Sequence, residues 1–181
     1  LPALVVAQEA DEPPANRPPP NSIPLAIPGF VRAVRAVPEP PRIDGRLDDE
    51  AWLAAIPITD FLQKDPVEGA VASESTAVRF VYTDRDLYVG FRGFDREPEL
   101  VYGRLMRRDQ RASADGFSVI VDSYYDRRTA FEISINPSGT RRDVFIYNDG
   151  RGQDDSWDPV YDWATQVDSL GWTVELKIPF S

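Results

Sequence analysis

The 181-residue chain contains no histidine and no cysteine. Those absences exclude Ser-His-Asp and Cys-His nucleophilic catalysis, zinc sites built on imidazole or thiolate, and haem ligation by either group. Disulfides are excluded as well, so stability has to come from a core or from a bound ion. Basic residues are in short supply: 20 Lys and Arg stand against 30 Asp and Glu, a net charge of −10. Such a surface repels DNA and RNA phosphates, which leaves neutral ligands, hard cations and other proteins as partners. No apolar run approaches the roughly 20 residues of a transmembrane helix. What is present, 42% hydrophobic residues, suffices for a globular core.

Proline divides the chain. Of 17 prolines, 11 fall within the first 41 residues, and Arg17-Pro18-Pro19-Pro20 can form neither a helix nor an interior strand. Residues 8–30 therefore read as an extended, disordered Pro-rich linker. The apolar stretch before it, residues 1–7, has Val5 and Ala7 in place for cleavage before Gln8. It reads as the remnant of an export signal, with an ordinary disordered terminus as the alternative.

From residue 31 onward the texture changes to short alternating runs separated by turn residues. Ser75 to Thr83 places Val78, Phe80 and Tyr82 opposite Ala77, Arg79 and Val81. Leu87 to Phe94 follows after Thr83-Asp-Arg-Asp86. Phe117 to Tyr125 is apolar on both faces, as a central strand is. Thr129 to Asn136 and Thr140 to Asn148 flank Pro137-Ser-Gly139, and Tyr161 to Asp168 and Trp172 to Pro179 flank Ser169-Leu-Gly171. Short strands with short connections predict antiparallel hairpins and an all-β sandwich, jelly-roll or immunoglobulin-like. Asp48 is placed to cap a short helix over Glu50 to Leu53, and a second helical turn fits Glu97 to Leu105. The roughly 140 residues of this region can bury about two-thirds of their unfolded surface.

Several local patterns occur in a recognisable order. They are Ile43-Asp44-Gly45-Arg-Leu47-Asp48-Asp-Glu-Ala51-Trp52, Leu87-Tyr88-Val89-Gly90-Phe91, Arg108-Asp109, Asp115-Gly-Phe-Ser-Val-Ile-Val-Asp122, Phe131-Glu-Ile-Ser-Ile-Asn136-Pro137-Ser-Gly139, Asp143, and Gly171-Trp172-Thr-Val-Glu175-Leu-Lys-Ile178-Pro179-Phe180. The set resembles the carbohydrate-binding module family 9-like domain, in the version found N-terminal to uncharacterised bacterial outer-membrane-barrel-like regions. The resemblance spans about residues 34–181. It implies an exported jelly-roll-like sandwich in the periplasm, outer membrane or cell surface, with carbohydrate as ligand, calcium as a frequent companion, and a barrel or a glycoside hydrolase as a neighbouring region. Domains of this kind usually add a strand after Ile-Pro-Phe, so an open sheet edge is expected where this sequence stops.

Individual residues separate into frame and site. Gly45 suits a positive-φ turn, Trp52 suits an anchor for the short helix, and Trp172 lies on the apolar face of its strand, so all three read as structural. Trp163 shares a face with Val167 and also reads as core, though it adjoins the candidate site. Trp157, in Asp154-Asp155-Ser156-Trp157-Asp158-Pro159, has no apolar periodicity to bury it. An exposed Trp beside carboxylates suits sugar recognition by stacking and hydrogen bonding. Trp157, Asp158, Tyr161, Trp163, Arg107 and Arg108 form the expected sugar site, with Tyr147 able to widen it. The alternative is a Trp folded back onto the sandwich.

Calcium takes six to eight oxygens, and Asp149, Asp154, Asp155 and Asp158 share one ten-residue loop. Asp115, Asp122 and Asp126 make a looser set. Neither matches an EF-hand, and a solvated acidic loop is the alternative. A glycosidase would need two carboxyls at a defined separation across a cleft. Nothing singles out such a pair, so a non-catalytic carbohydrate-binding module is expected. Its rival is an interaction domain that docks on a barrel and binds no sugar.

Overall fold

The computed structural model describes residues 31–103 and 115–180; the linker, the segment before it and Arg107 and Arg108 lie outside them. Two sheets form. The first contains β1 (Val34–Arg35), β2 (Thr76–Tyr82), β3 (Asp86–Phe94), β8 (Asp162–Asp168) and β9 (Gly171–Pro179), in the order β1-β2-β3-β9-β8. The second is β4 (Phe117–Val121), β5 (Ala130–Ile135), β6 (Arg141–Tyr147) and β7 (Gly152–Asp154), in chain order. Every pairing is antiparallel except β1 with β2, which is parallel. The expected all-β sandwich is what the sequence makes.

Alternation explains the core. Val78 and Phe80 of β2, Leu87, Val89 and Phe91 of β3, and Trp172, Val174 and Leu176 of β9 meet Val119, Ile133 and Ile135 of the second sheet. Phe91 stacks on Phe117 at 4.5 Å and lies 4.7 Å from Trp172, so three rings bridge the sheets. Trp172 is buried, as its place on the apolar face requires. Strand β9 is flanked on both sides by β3 and β8, so it presents no open edge.

Two sequence expectations need correction. The stretch 117–125 is not one central strand: β4 ends at Val121 and stands at the edge of its sheet among the described residues. The helix α1 (Glu50–Ala54) is preceded by Asp49 rather than Asp48, and Asp49 makes no side-chain cap, because its carboxylate accepts from the Arg42 N–H at 3.0 Å. A single 3-10 turn at Pro98–Leu100 lies where the second helical turn is expected.

A third layer covers the outer face of the first sheet. Ala51, Trp52 and Ala55 pack with Val81 and Tyr88 in a second apolar cluster. One carboxylate fixes that layer. Glu175, on the outer face of β9, is fully buried and accepts from Trp52 Nε1 at 2.8 Å, Asp44 N at 2.9 Å and Gly45 N at 2.7 Å. Gly45 has φ +89°, and its carbonyl accepts from Thr173 Oγ1 at 2.6 Å. Beside Glu175 lies Gly90, where a Cβ would stand 2.8 Å from Leu47 and 3.0 Å from Trp52. The absent side chain is what lets the indole reach the carboxylate.

Removing Glu175 leaves three buried donors unsatisfied. Glu175→Ala should cost about 3 kcal/mol or more, and Glu175→Gln less, measured by urea unfolding. Burial pushes the Glu175 carboxyl above its ordinary 4.5, more than the three N–H bonds pull it down. The folded protein therefore binds this proton more tightly than the unfolded chain. That contribution to stability is complete below pH 4.5 and is lost as the pH rises through the folded value. The stability of wild type relative to Glu175→Gln should fall with rising pH in that window. A relative stability that rises with pH would mean that the N–H bonds outweigh burial.

Candidate functional site

The connection between β4 and β5 is a turn built on two carboxylates. Asp122 accepts from the N–H groups of Asp126 at 3.2 Å and Arg127 at 2.8 Å. Asp126 accepts from Arg128 N at 2.7 Å, Thr129 N at 2.8 Å and Thr129 Oγ1 at 2.8 Å. The N–H bonds from Arg128 and Thr129 hold the Asp126 carboxyl below its ordinary value. Tyr125 and Arg127 adopt left-handed backbone with φ 52° and 57°, conformations that cost non-glycine residues about 1 kcal/mol or more each. The turn thereby points two rings at solvent: Tyr124 is 69% exposed and Tyr125 62%. The Arg127 guanidinium lies 5.9 Å from the Tyr125 ring.

A second turn, between β6 and β7, is fastened to the first. Asp149 donates its N–H to Arg128 O at 3.1 Å, and its carboxylate accepts from Arg128 Nε at 3.3 Å. Tyr147, 37% exposed, stacks on Phe145 at 5.9 Å. Phe145 meets Phe131 at 5.1 Å, and Tyr124 meets Phe131 at 6.1 Å. A continuous chain of rings thus runs from Tyr124 through Phe131 and Phe145 to Tyr147. Its outer ends are wet, and carboxylates and guanidiniums stand beside them. Rigid aromatic faces flanked by hydrogen-bonding groups can stack on the C–H face of a sugar ring and bind its hydroxyls.

The residues expected to form the site are placed differently. Trp157 is half-buried, 4.6 Å from Phe131, and packs against the main core, so it supports the ring chain from behind. Its loop is polar, but the turn is closed by Asp154, which accepts from Ser156 N at 2.9 Å and Ser156 Oγ at 2.6 Å and folds the indole inward. Those two bonds hold the Asp154 carboxyl below its ordinary value. Tyr161 offers no platform: it is 5% exposed, and its hydroxyl donates to the buried Asp143. Trp163 donates its indole N–H to Gly139 O at 3.0 Å. Arg141 lies 4.5 Å from the Trp163 ring and 5.1 Å from that of Tyr161, with Asp158 at 3.9 Å from its Nη2. The structure does bring Asp158, Tyr161 and Trp163 together, but around a guanidinium that already occupies their centre.

The carboxylates of the acidic loop have separate partners. Asp149 pairs with Arg128, Asp154 binds Ser156, Asp155 pairs with Arg142 at 2.7 Å, and Asp158 faces Arg141. Asp115 accepts from Tyr102 N, and Asp122 and Asp126 serve the tyrosine turn. Among the described residues no three acids gather in a way that could hold a metal ion. Turn hydrogen bonds and arginines take each carboxylate separately.

Tyr124 and Tyr125 escape sequence reasoning because apolar continuity assigns them to the strand that ends at Val121. The signal available is Asp122-Ser-Tyr-Tyr-Asp126, two acids spaced to close a turn around two aromatics.

Trp157→Ala should lower stability by about 2 kcal/mol, less than for a fully buried aromatic, because Trp157 is only partly buried where it packs on Phe131 and the core. Tyr124→Ala and Tyr125→Ala should each stay within about 0.5 kcal/mol of wild type. Thermal and urea unfolding of the three variants check this, and an unchanged Trp157→Ala would show that its ring does not support the core.

No protein-family profile and no curated protein matches the chain. Solved structures do. A carbohydrate binding module family 9 from Caldicellulosiruptor kristjanssonii in complex with cellotriose superimposes with a TM-score of 0.59 at 18% identity, covering 82% of this chain and 67% of that one. The module from the same organism in complex with glucose gives 0.58 at 17% identity, covering 82% and 69%. The likeness is one of architecture: this chain adopts a β-sandwich like that of carbohydrate-binding module family 9.

Proposed function

We propose that the domain is a non-catalytic carbohydrate-binding module of an exported bacterial protein, and that its sugar surface is the paired turns bearing Tyr124, Tyr125 and Tyr147. The observation that carries this reading is the stapling of the two turns through Arg128 and Asp149, which fixes exposed aromatic faces beside polar groups before any ligand arrives. Preorganisation of this kind lowers the entropic cost of binding. The sugars held by the two solved modules, cellotriose and glucose, indicate the class of ligand to try first. Export is supported by the resemblance of the ordered motifs.

A shallow surface gains only a modest surplus over water, so affinity should lie between millimolar and high micromolar, about −4 to −6 kcal/mol. A glycan array followed by calorimetry on cello-oligosaccharides tests it. Tyr124→Ala combined with Tyr147→Ala should weaken binding by about tenfold or more while the melting temperature stays nearly unchanged. Full affinity in the double variant would place the site elsewhere. A second reading, docking on an outer-membrane barrel without sugar binding, is favoured by the exposed Leu53 of α1 and the exposed Leu62, Val67 and Val71 between α1 and β2. It takes the lead if no glycan binds.

A further inference from the structure

The outer face of the first sheet carries a cavity of about 410 Å³ that the tyrosine turns do not touch. Such a volume is within the range of small-ligand sites, about 300–1,000 Å³. Its floor includes Arg79 of β2, Arg92 of β3, Thr173 of β9 and Gln166 of β8, and the loop that Glu175 fastens supplies Arg46. Arg79 faces Gly90 and Ala77 faces Arg92 in the β2–β3 register, so the two arginines are diagonal neighbours on one face. Diagonal positions about 7–8 Å apart are within reach of side chains this long.

Of these two guanidiniums, Arg92 is the one paired with a carboxylate among the described residues. Asp168 takes both ends of Arg92, at 2.6 and 2.7 Å, and also accepts from Leu170 N at 2.8 Å. Glu175, along the same row of the sheet as Arg79, has its oxygens occupied by three N–H groups. Among the described residues no carboxylate pairs with Arg79, and its Nε is a buried donor without any partner. Asp48 and Asp168 also line the cavity, so three arginines meet two acids in a chain whose overall balance runs the other way. A half-buried guanidinium in that state favours an incoming oxyanion, and carboxylates match its planar fork. Beside it the Gln166 amide suits neutral hydroxyl groups.

We propose that this cavity is a subsite for a sugar acid, a single hexuronate, with Arg79 as the partner of its carboxylate and Gln166 beside its hydroxyls. The ligand class rests on the carbohydrate-binding reading; the site does not depend on the tyrosine turns.

The test is an NMR titration of the isotope-labelled domain with sodium glucuronate, glucose, acetate and phosphate at matched ionic strength. Glucuronate should move the Arg79 Nε–H signal and the amides of Gly45 and Gln166, saturably. Glucose should leave them in place, and acetate and phosphate should bind about tenfold more weakly or less well still, lacking the hydroxyl contacts. Arg79→Gln should weaken glucuronate by about tenfold or more without altering the response of the tyrosine turns to cellotriose. Absence of glucuronate shifts in the cavity, equal binding of acetate or phosphate, or full affinity in Arg79→Gln overturns the subsite. If Arg79→Gln does not fold, the wild-type Arg79 Nε–H signal decides alone. Failure of cellotriose with success of glucuronate removes the tyrosine platform and leaves this subsite standing; the reverse result removes the subsite only.

Discussion

A single carboxylate on a central strand organises the layer that covers the outer face of the first sheet. Burying a charge is costly unless hydrogen bonds replace the lost water. Glu175 obtains three, from an indole and two consecutive backbone N–H groups, and each ties an outer element to the sheet. A five-residue helix is far below the length that is stable alone in water, about 12–15 residues. It is held because Trp52 is anchored at the sheet and because Gly90 leaves the space beneath it. The same carboxylate sets the height of the Gly45 loop, and with it one wall of the arginine cavity.

The sandwich interior works on a different principle. Its stability rests on alternating apolar residues and on the ring contacts of Phe91, Phe117 and Trp172 between the sheets. Core packing needs the strands but not the turns at their ends. The β4–β5 and β6–β7 turns are therefore free to spend backbone strain and exposed tyrosines on a surface. They stay rigid because Asp122, Asp126 and Asp149 supply the hydrogen bonds that the core does not. Trp157 joins the two regimes, with one side against Phe131 and the core and the rest toward the turn.

How far the sequence discloses this depends on the range of the interaction. Strand alternation is local, so β2, β3, β5, β6, β8 and β9 could be read directly, as could the burial of Trp172 and Trp52. The ends of strands were less legible: Val-Asp-Ser-Tyr-Tyr keeps β propensity through Tyr125, and only the carboxylate-to-backbone bonds of Asp122 stop the strand at Val121. The half-burial of Trp157 is not legible, because nothing local shows that Asp154 and Ser156 close its turn. Tyr161 and Trp163 could be placed on a strand, but not beneath Arg141, which reaches them from another strand. Glu175 is the extreme case. It reads as one polar residue in an alternating strand, and its partners are more than 120 residues away.

The account stands most directly on where a neutral sugar sits. A crystal structure of the domain soaked with cellotriose should show a sugar ring stacked on Tyr124, Tyr125 or Tyr147, with hydroxyls bonded to polar groups of the two turns and the backbone of both turns unmoved. A cellotriose bound at Trp163 after displacement of Arg141, or seated on the outer face of the first sheet, would contradict it.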